Sequence, residues 1–471
     1  MNTFQHAWTD LITALGTVRP LTWCAVLLVL TSLTYAMGLL WSAGRGRARS
    51  PRPARPTVLR ATDDASEYHP RVVFMLPCLN EAKVIGASVD RLLSLPYDDA
   101  HVMVINDGSD DETAQIVQAR QVDPRVRLLN RVLPEARQGK GEALNAAVRV
   151  LLNSDLARDV DPADIIVVIV DADGRLEIDA LAQVLPYFAD PGVGGVQIGV
   201  RINNRHVNRL ARMQDMEFVI YTDVFQKGRR LLGSVGLGGN GQFMRLSALT
   251  SLGDTPWSRS LTEDLDLGVR LLIGGWRTDY CPTVAVHQQG VVDIKRLLKQ
   301  RTRWFQGGLQ AWRLLPSVAH SVTGRARFDL LYLLTAPFLL LLASLLTLSF
   351  AFGISAVLVR GDMPSLGQML ATYALGFVPT LILAHVYFER ERDEGVYKAE
   401  VVGLSHLYVL YGLMWYLCGW WAVWRMITRQ TGWVKTARST ETSANTRSPD
   451  DASRAAAAVD LDSSPATTTT S

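Results

Sequence analysis

The chain has 471 residues, with 48 Lys and Arg against 45 Asp and Glu and 48% hydrophobic side chains; that balance excludes a disordered polyelectrolyte and suits roughly two to three domains. A net charge of +3 is too small to argue for nucleic acid as a partner. Cys24, Cys78, Cys281 and Cys418 stand far apart with no C-x-x-C pair, so neither a zinc site nor a disulfide framework is indicated.

Residues 21–41 form an apolar run long enough to cross a bilayer. Arg45, Arg47, Arg49, Arg52, Arg55 and Arg60 follow it with no acid between them, which places that flank in the cytoplasm. A cleaved signal peptide is the rival, but its basic residues would precede the apolar run. The expectation is therefore an anchor over residues 1–43 and a basic linker over 44–69, lying along an anionic membrane surface.

From residue 70 to 290 the pattern is that of an α/β domain with a mostly parallel sheet. Short β-rich runs at 72–76, 102–106, 126–129 and 165–170 alternate with helical spacing at 82–95 and 142–152. Such sheets bind ligands beyond the carboxyl ends of their strands. Two carboxylate clusters fall there: Asn106-Asp107-Gly108-Ser109-Asp110-Asp111 and Asp171-Ala172-Asp173-Gly174. One suits hydrogen bonds from a ligand and the other a hard divalent cation. The competing reading is that Asp, Gly and Ser are turn and capping residues. Thr262-Glu263-Asp264 opens a helical run over 265–273, where Ser260 and Glu263 have the spacing of a capping box and acids favour the helix dipole. The Gly236–Gly241 loop lies too far from the first βα turn for a dinucleotide fingerprint, and reads as backbone approaching a bulky ligand.

Residues 291–316 combine Lys295, Arg296, Lys299, Arg301 and Arg303 with Ile294, Leu298, Trp304, Phe305 and Trp312, the composition of helices in the membrane interface. The apolar stretches 328–359, 366–388 and 401–427 follow, within a membrane and interface region over 317–427. The third carries Tyr408, Tyr411, Trp415, Tyr416, Trp420, Trp421 and Trp424, an aromatic density expected at the headgroup level. Residues 439–471 hold almost no large apolar side chain and are expected to be disordered.

These motifs, in this order, resemble a membrane-embedded family 2 glycosyltransferase, similar to the poly-N-acetylglucosamine, hyaluronan, chitin and cellulose synthases. The resemblance rests on Pro77-Cys78-Leu79-Asn80-Glu81, Asn106-Asp107-Gly108-Ser109, Gly139-Lys140 with Ala143-Leu144-Asn145, Asp171-Ala172-Asp173, Thr262-Glu263-Asp264 and Gln300-Arg301-Thr302-Arg303-Trp304. It covers residues 70–315 closely and the flanking apolar segments loosely. Asn106 stands where many members have Asp, a departure shared with the poly-N-acetylglucosamine branch.

The resemblance implies a GT-A fold, Rossmann-like with a mostly parallel sheet, inserted between transmembrane helices with the catalytic domain in the cytoplasm. It implies a UDP-sugar donor, with N-acetylglucosamine first and glucose next. Asp107, Glu81 and Lys140 would hold the uridine end. Asp173, with Asp171 beside it, would hold Mg2+ or Mn2+ on the diphosphate. Arg303 would clamp the diphosphate, with Gln300 of the same motif among the donor-binding residues, Asp264 beside Glu263 would be the general base, and Trp304 would carry the acceptor. Trp433 to Arg438 resembles a gating segment. The leading expectation is an inverting, processive synthase that elongates and translocates a β-linked polysaccharide, with accessory export subunits as further partners. The alternative is a non-processive enzyme that adds one sugar to a lipid, and a membrane carrier that only binds nucleotide comes last.

Overall fold

A computed structural model describes residues 20–45, 68–359, 365–392 and 397–430. The basic linker from residue 46 to 67, the expected gating residues Trp433 and Arg438 and the C-terminal tail lie outside the described residues.

Eight strands form one sheet in the order β3-β2-β1-β4-β7-β6-β8-β5. They span β1 Arg71–Cys78, β2 Ala100–Asn106, β3 Val126–Asn130, β4 Ile165–Ile169, β5 Arg175–Leu176, β6 Val193–Ile202, β7 Gln242–Arg245 and β8 Arg277–Gln288. The first four are mutually parallel, as are β6 and β8, while β7 and β5 run antiparallel to their neighbours.

The hydrophobic runs seen in the sequence are continuous because both faces of the sheet are covered. Side chains alternate between the faces. Val72, Phe74, Leu76, Val102, Val104, Ile166 and Val168 pack on one side, with Ile85, Val89 and Leu92 of α1 Ile85–Leu93. Val73, Met75, Ile105, Val167 and Ile169 pack on the other, with Leu144, Ala147, Val148 and Leu151 of α2 Lys140–Leu152. Both helices show apolar residues at intervals of three and four, the stripe that a helix buries against a sheet.

The chain leaves β1 for β2 and β3 on one side, then returns to place β4 on the other. That reversal opens a crevice beyond the carboxyl ends of β1 and β4. Two further helices pack on the sheet: α3 Arg209–Ile220 against β6 and α4 Glu263–Ile273 against β8.

Beneath the domain lie α5 Ile294–Gln310, α6 Gly324–Val359, α7 Leu366–Glu391, α8 Lys398–Ile427 and an N-terminal helix Pro20–Arg45. Among the described residues, three helices are long and apolar enough to cross a membrane: Gly324–Phe352, Leu366–Glu391 and Lys398–Ile427. The expected stretches 328–359, 366–388 and 401–427 lie on these helices, the first running on past Phe352 to the end of α6 at Val359.

Buried arginines join the domain to these helices, each with a carboxylate and a tyrosine. Arg229 binds Asp329 of α6 at 3.1 Å and donates to the Tyr35 hydroxyl at 3.0 Å. Arg201 and Arg205 bind the fully buried Glu391 of α7, while Asp215 accepts from Arg201 and from the Tyr387 hydroxyl at 3.0 Å. Arg301 of α5 binds Glu217, and Tyr411 of α8 donates to the same carboxylate at 2.7 Å. Breaking a buried pair on one side typically costs about 3–5 kcal/mol, so these contacts fix the helices to the domain. The N-terminal helix also approaches closely at Gly228, where an added Cβ would stand 2.6 Å from the Leu39 carbonyl oxygen.

Candidate active site

The loops after β1 and β2 are stitched together by backbone donors. Asn80 N–H donates to Ser109 Oγ at 2.9 Å, Asp110 N–H to Asn80 Oδ1 at 2.8 Å and Glu81 N–H to Thr113 Oγ1 at 2.8 Å. Asn80 holds φ +55°, a left-handed conformation that asparagine tolerates and that turns the chain sharply after the strand. Glu81 and Asp107 are both buried in the loops that follow these adjacent strands. Burial pushes the Asp107 carboxyl up, against Arg131 and Arg137. Arg131 pairs with Asp107 directly, and Arg137 donates to the Gly108 carbonyl at 2.5 Å.

Lys140 opens α2 and reaches across the crevice. Its Nζ donates to Asp171 Oδ1 and to the Gly239 carbonyl, each at 2.7 Å. Burial works against the ammonium, yet Asp171, Glu263 and Asp264 outweigh it and hold its pKa above the ordinary lysine value. Gly239 sits between the lysine and the acids: a Cβ there would stand 3.1 Å from Asp264 Oδ2 and 3.4 Å from Lys140 Nζ. The glycine-rich loop thus brings bare backbone into the site.

Asp173 is buried, and its Oδ2 accepts from the Gln289 N–H at 3.2 Å. Asn240 ties this turn to the glycine loop by accepting from Asp171 N–H at 3.1 Å. Among the described residues no group of three or more His, Cys, Asp or Glu side chains is placed to hold a metal. Asp171 and Asp173 instead offer hard oxygens in a pair, the donor set that suits Mg2+ or Mn2+ when substrate phosphates complete the coordination.

Glu263 and Asp264 begin α4. The capping box does not form: Thr262 is the N-cap, with no side-chain capping bond, and Glu263 is buried toward Lys140. Burial, then the Asp264 charge, push Glu263 up to about 7, against Lys140 and Arg303. Burial also raises Asp264, opposed by the Leu265 N–H, which donates at 2.8 Å, and by Lys140 and Arg303. The loop before α4 is held by Asn145, whose amide donates to the Trp257 carbonyl at 2.9 Å and accepts from its N–H at 3.0 Å. Gly307 of α5 abuts Thr262, where a Cβ would stand 2.5 Å from Oγ1 and 2.7 Å from the backbone nitrogen.

That contact brings the Gln300–Trp304 motif alongside α4. Arg303 faces Glu263 and Asp264 closely enough to act on both. Trp304 lies half-buried, edge-on to Phe218 at 6.2 Å between centroids. Gln300 accepts from Arg301 Nη1 at 3.1 Å. Arg301 departs from the interfacial reading: it is fully buried, whereas Lys295, Arg296 and Lys299 are exposed.

The structure thus brings Lys140, Asp171, Glu263, Asp264 and Arg303 together around Gly239, while Glu81 and Asp107 follow β1 and β2, Asp173 follows β4, and Gln300 and Trp304 lie against Arg301 on α5. Sequence reasoning missed Arg131, Arg137, Asn240 and Gln289, which hold the carboxylates and loops in place. Polar residues beside glycine were the only signal available for Asn240.

The profile described as Glycosyltransferase like family 2 matches residues 69–307. A β-monoglucosyldiacylglycerol synthase of Synechocystis sp. is 35% identical over 287 residues, covering 60% of this chain and 56% of that protein. A poly-β-1,6-N-acetyl-D-glucosamine synthase of Staphylococcus aureus is 27% identical over 275 residues, covering 58% of this chain and 63% of that protein. The chain therefore spans less than two thirds of the length of either relative. A mannosyltransferase of Pyrobaculum calidifontis, solved with GDP-Man and Mn2+, superposes with a TM-score of 0.59 at 20% identity over 87% of this chain and 99% of that one. The last likeness shows the fold, which is GT-A.

Proposed function

Since this chain belongs to the glycosyltransferase family 2 whose profile spans its α/β domain, we propose that it is an inverting, UDP-sugar-dependent enzyme that transfers one sugar to a membrane lipid. The observation that carries the chemistry is the convergence of Lys140, Asp171, Gly239, Glu263 and Asp264 beside Arg303. The acceptor is diacylglycerol and the sugar glucose. This reading is supported by the 35% identity to the glucosyldiacylglycerol synthase, against 27% to the polysaccharide synthase. The expectation of a processive synthase thus gives way to the alternative. The polymer reading stays second because the Gln300–Trp304 motif is associated with chain elongation.

In the proposed reaction the acceptor hydroxyl gives its proton to an Asp264 carboxylate oxygen while its oxygen attacks the anomeric carbon. The bond from that carbon to the diphosphate breaks, and UDP leaves with the electron pair. One base and no covalent nucleophile means inversion, so an α-linked donor gives a β-linked product. Arg303 and Lys140 offset the charge developing on the leaving group. Glu81 and Asp107 hold the uridine end, and Trp304 presents a flat face to the acceptor. Asp171 and Asp173 would hold Mg2+ or Mn2+, which when bound neutralises diphosphate charge.

For membrane placement we propose a cytoplasmic catalytic domain, with α8 lying along its membrane side. Glu400 approaches Arg212 at 3.7 Å, Tyr411 meets Glu217, the Cys418 thiol donates to the Leu298 carbonyl at 3.6 Å and Gln306 accepts from Arg425 at 3.0 Å. Polar contacts with the domain and α5 from one end of the helix to the other support an interfacial course.

The test is a panel of labelled UDP-sugars with Mg2+ or Mn2+, given to the full chain in vesicles containing diacylglycerol. A single-sugar glycolipid supports the reading. A long saccharide product overturns it in favour of the polymer, and UDP binding without release overturns both.

A further inference from the structure

Arg301 is fully buried at the junction of three helices. Its guanidinium carbon lies 4.0 Å from the centroid of the Trp304 ring, and the rings of Trp415 and Phe218 stand 5.7 and 5.9 Å away. Nη2 pairs with Glu217 of α3 and donates to the Tyr411 hydroxyl of α8 at 3.3 Å. Tyr411 in turn donates to Glu217 at 2.7 Å. Arg301 therefore has one face on Trp304 and its edge held by two other helices.

A buried arginine in the interface helix is costly unless its charge is matched, and the matching partner stands 84 residues away. A guanidinium is flat and can stack on an indole while its edge makes hydrogen bonds; an ammonium cannot do both. The clasp thus converts the docking of α3 and α8 into a fixed tilt of one aromatic ring.

We propose that Arg301 is a positioning residue for the acceptor: clamped by Glu217 and Tyr411, it sets the plane of Trp304. This rests on the proposed role of Trp304 as the acceptor platform. Arg301 does not touch the donor-binding carboxylates after β1, β2 and β4, so its influence falls on the acceptor side alone. Tyr411 makes the position of α8 along the domain part of the same constraint.

The test uses R301K, R301Q and Y411F in the full chain reconstituted in vesicles. R301K keeps a charge opposite Glu217 but loses the planar stack, and Y411F keeps the ring but loses the hydroxyl. The expected result is a rise of about tenfold in acceptor KM for R301K and R301Q, and a few-fold for Y411F, with donor KM unchanged. In a W304L background R301K should add nothing, because its effect passes through the ring. Equal rises in donor and acceptor KM, an unchanged acceptor KM, or effects that add to W304L would overturn the proposal. A second readout needs no turnover: 5-fluorotryptophan placed at position 304 alone should shift and broaden its fluorine resonance in R301K, and an unmoved line sinks the idea. Should the wild type make no glycolipid but extend a saccharide primer, the lipid reading fails, and the same KM comparison is made with that primer.

Discussion

Replacing Asp264 by Asn tests the chemistry most directly. The amide keeps the shape, and its oxygen can still accept the Leu265 N–H that now reaches Oδ1 at 2.8 Å. What it cannot do is take a proton from the acceptor hydroxyl. Loss of a general base typically costs about a hundred- to ten-thousand-fold, or about 3–5 kcal/mol of transition-state stabilisation. Glu263 sits next in sequence, but burial and the Asp264 charge hold it up to about 7. Removing that charge lowers the Glu263 pKa and makes more of its carboxylate available, so residual turnover belongs at the milder end of the range if Glu263 can reach the hydroxyl. Donor binding should survive or tighten, because Lys140 and Arg303 lose a competing anion. The assay pairs sugar transfer under saturating donor with calorimetric UDP binding, both at pH 8. Turnover within threefold of the wild type would remove Asp264 from the role. Parallel loss of transfer and UDP affinity would make it a binding residue.

Asp173→Ala should weaken metal-dependent UDP binding as well as turnover, since a hard oxygen ligand is lost; unchanged UDP affinity across a Mn2+ titration contradicts the metal assignment. Glu263→Gln should stabilise the protein at high pH. The carboxyl is raised from 4.5 to about 7 on folding, so its contribution is full below pH 4.5 and is lost as pH rises toward 7, a change of about 3 kcal/mol. Thermal melts should therefore separate variant from wild type at pH 8 but not at pH 4.5, and equal gains at both would refute the sign. Gly307→Ala drives a methyl into the Thr262 backbone nitrogen, so it should depress transfer at least tenfold while the sheet-bound donor site keeps its UDP affinity. Modification of a Ser439→Cys variant in intact cells by a membrane-impermeant thiol reagent would overturn the interfacial course of α8; protection is expected.

Local chemistry made the α/β domain legible. Runs such as Val72–Leu76 can be buried only where both faces of a strand are covered, and the stripes on α1 and α2 fit the two faces that result. Asp107, Asp171 and Asp173 were visible because carboxylates placed after β-rich runs fall at the carboxyl ends of parallel strands. The sequence also carried the motif order that resembles family 2. It could not say which of several cations in one amphipathic helix would be buried. By composition Arg301 belongs with Lys295 and Lys299, and only Glu217, brought in by α3, selects it. Nor could it show that Lys140 would meet the Gly239 carbonyl 99 residues on, or that Glu391 would be drawn beneath Arg201 from 190 residues away. Burial and strand period depend on a residue and its near neighbours, whereas charge matching in a low-dielectric interior depends on which distant segment the packing delivers.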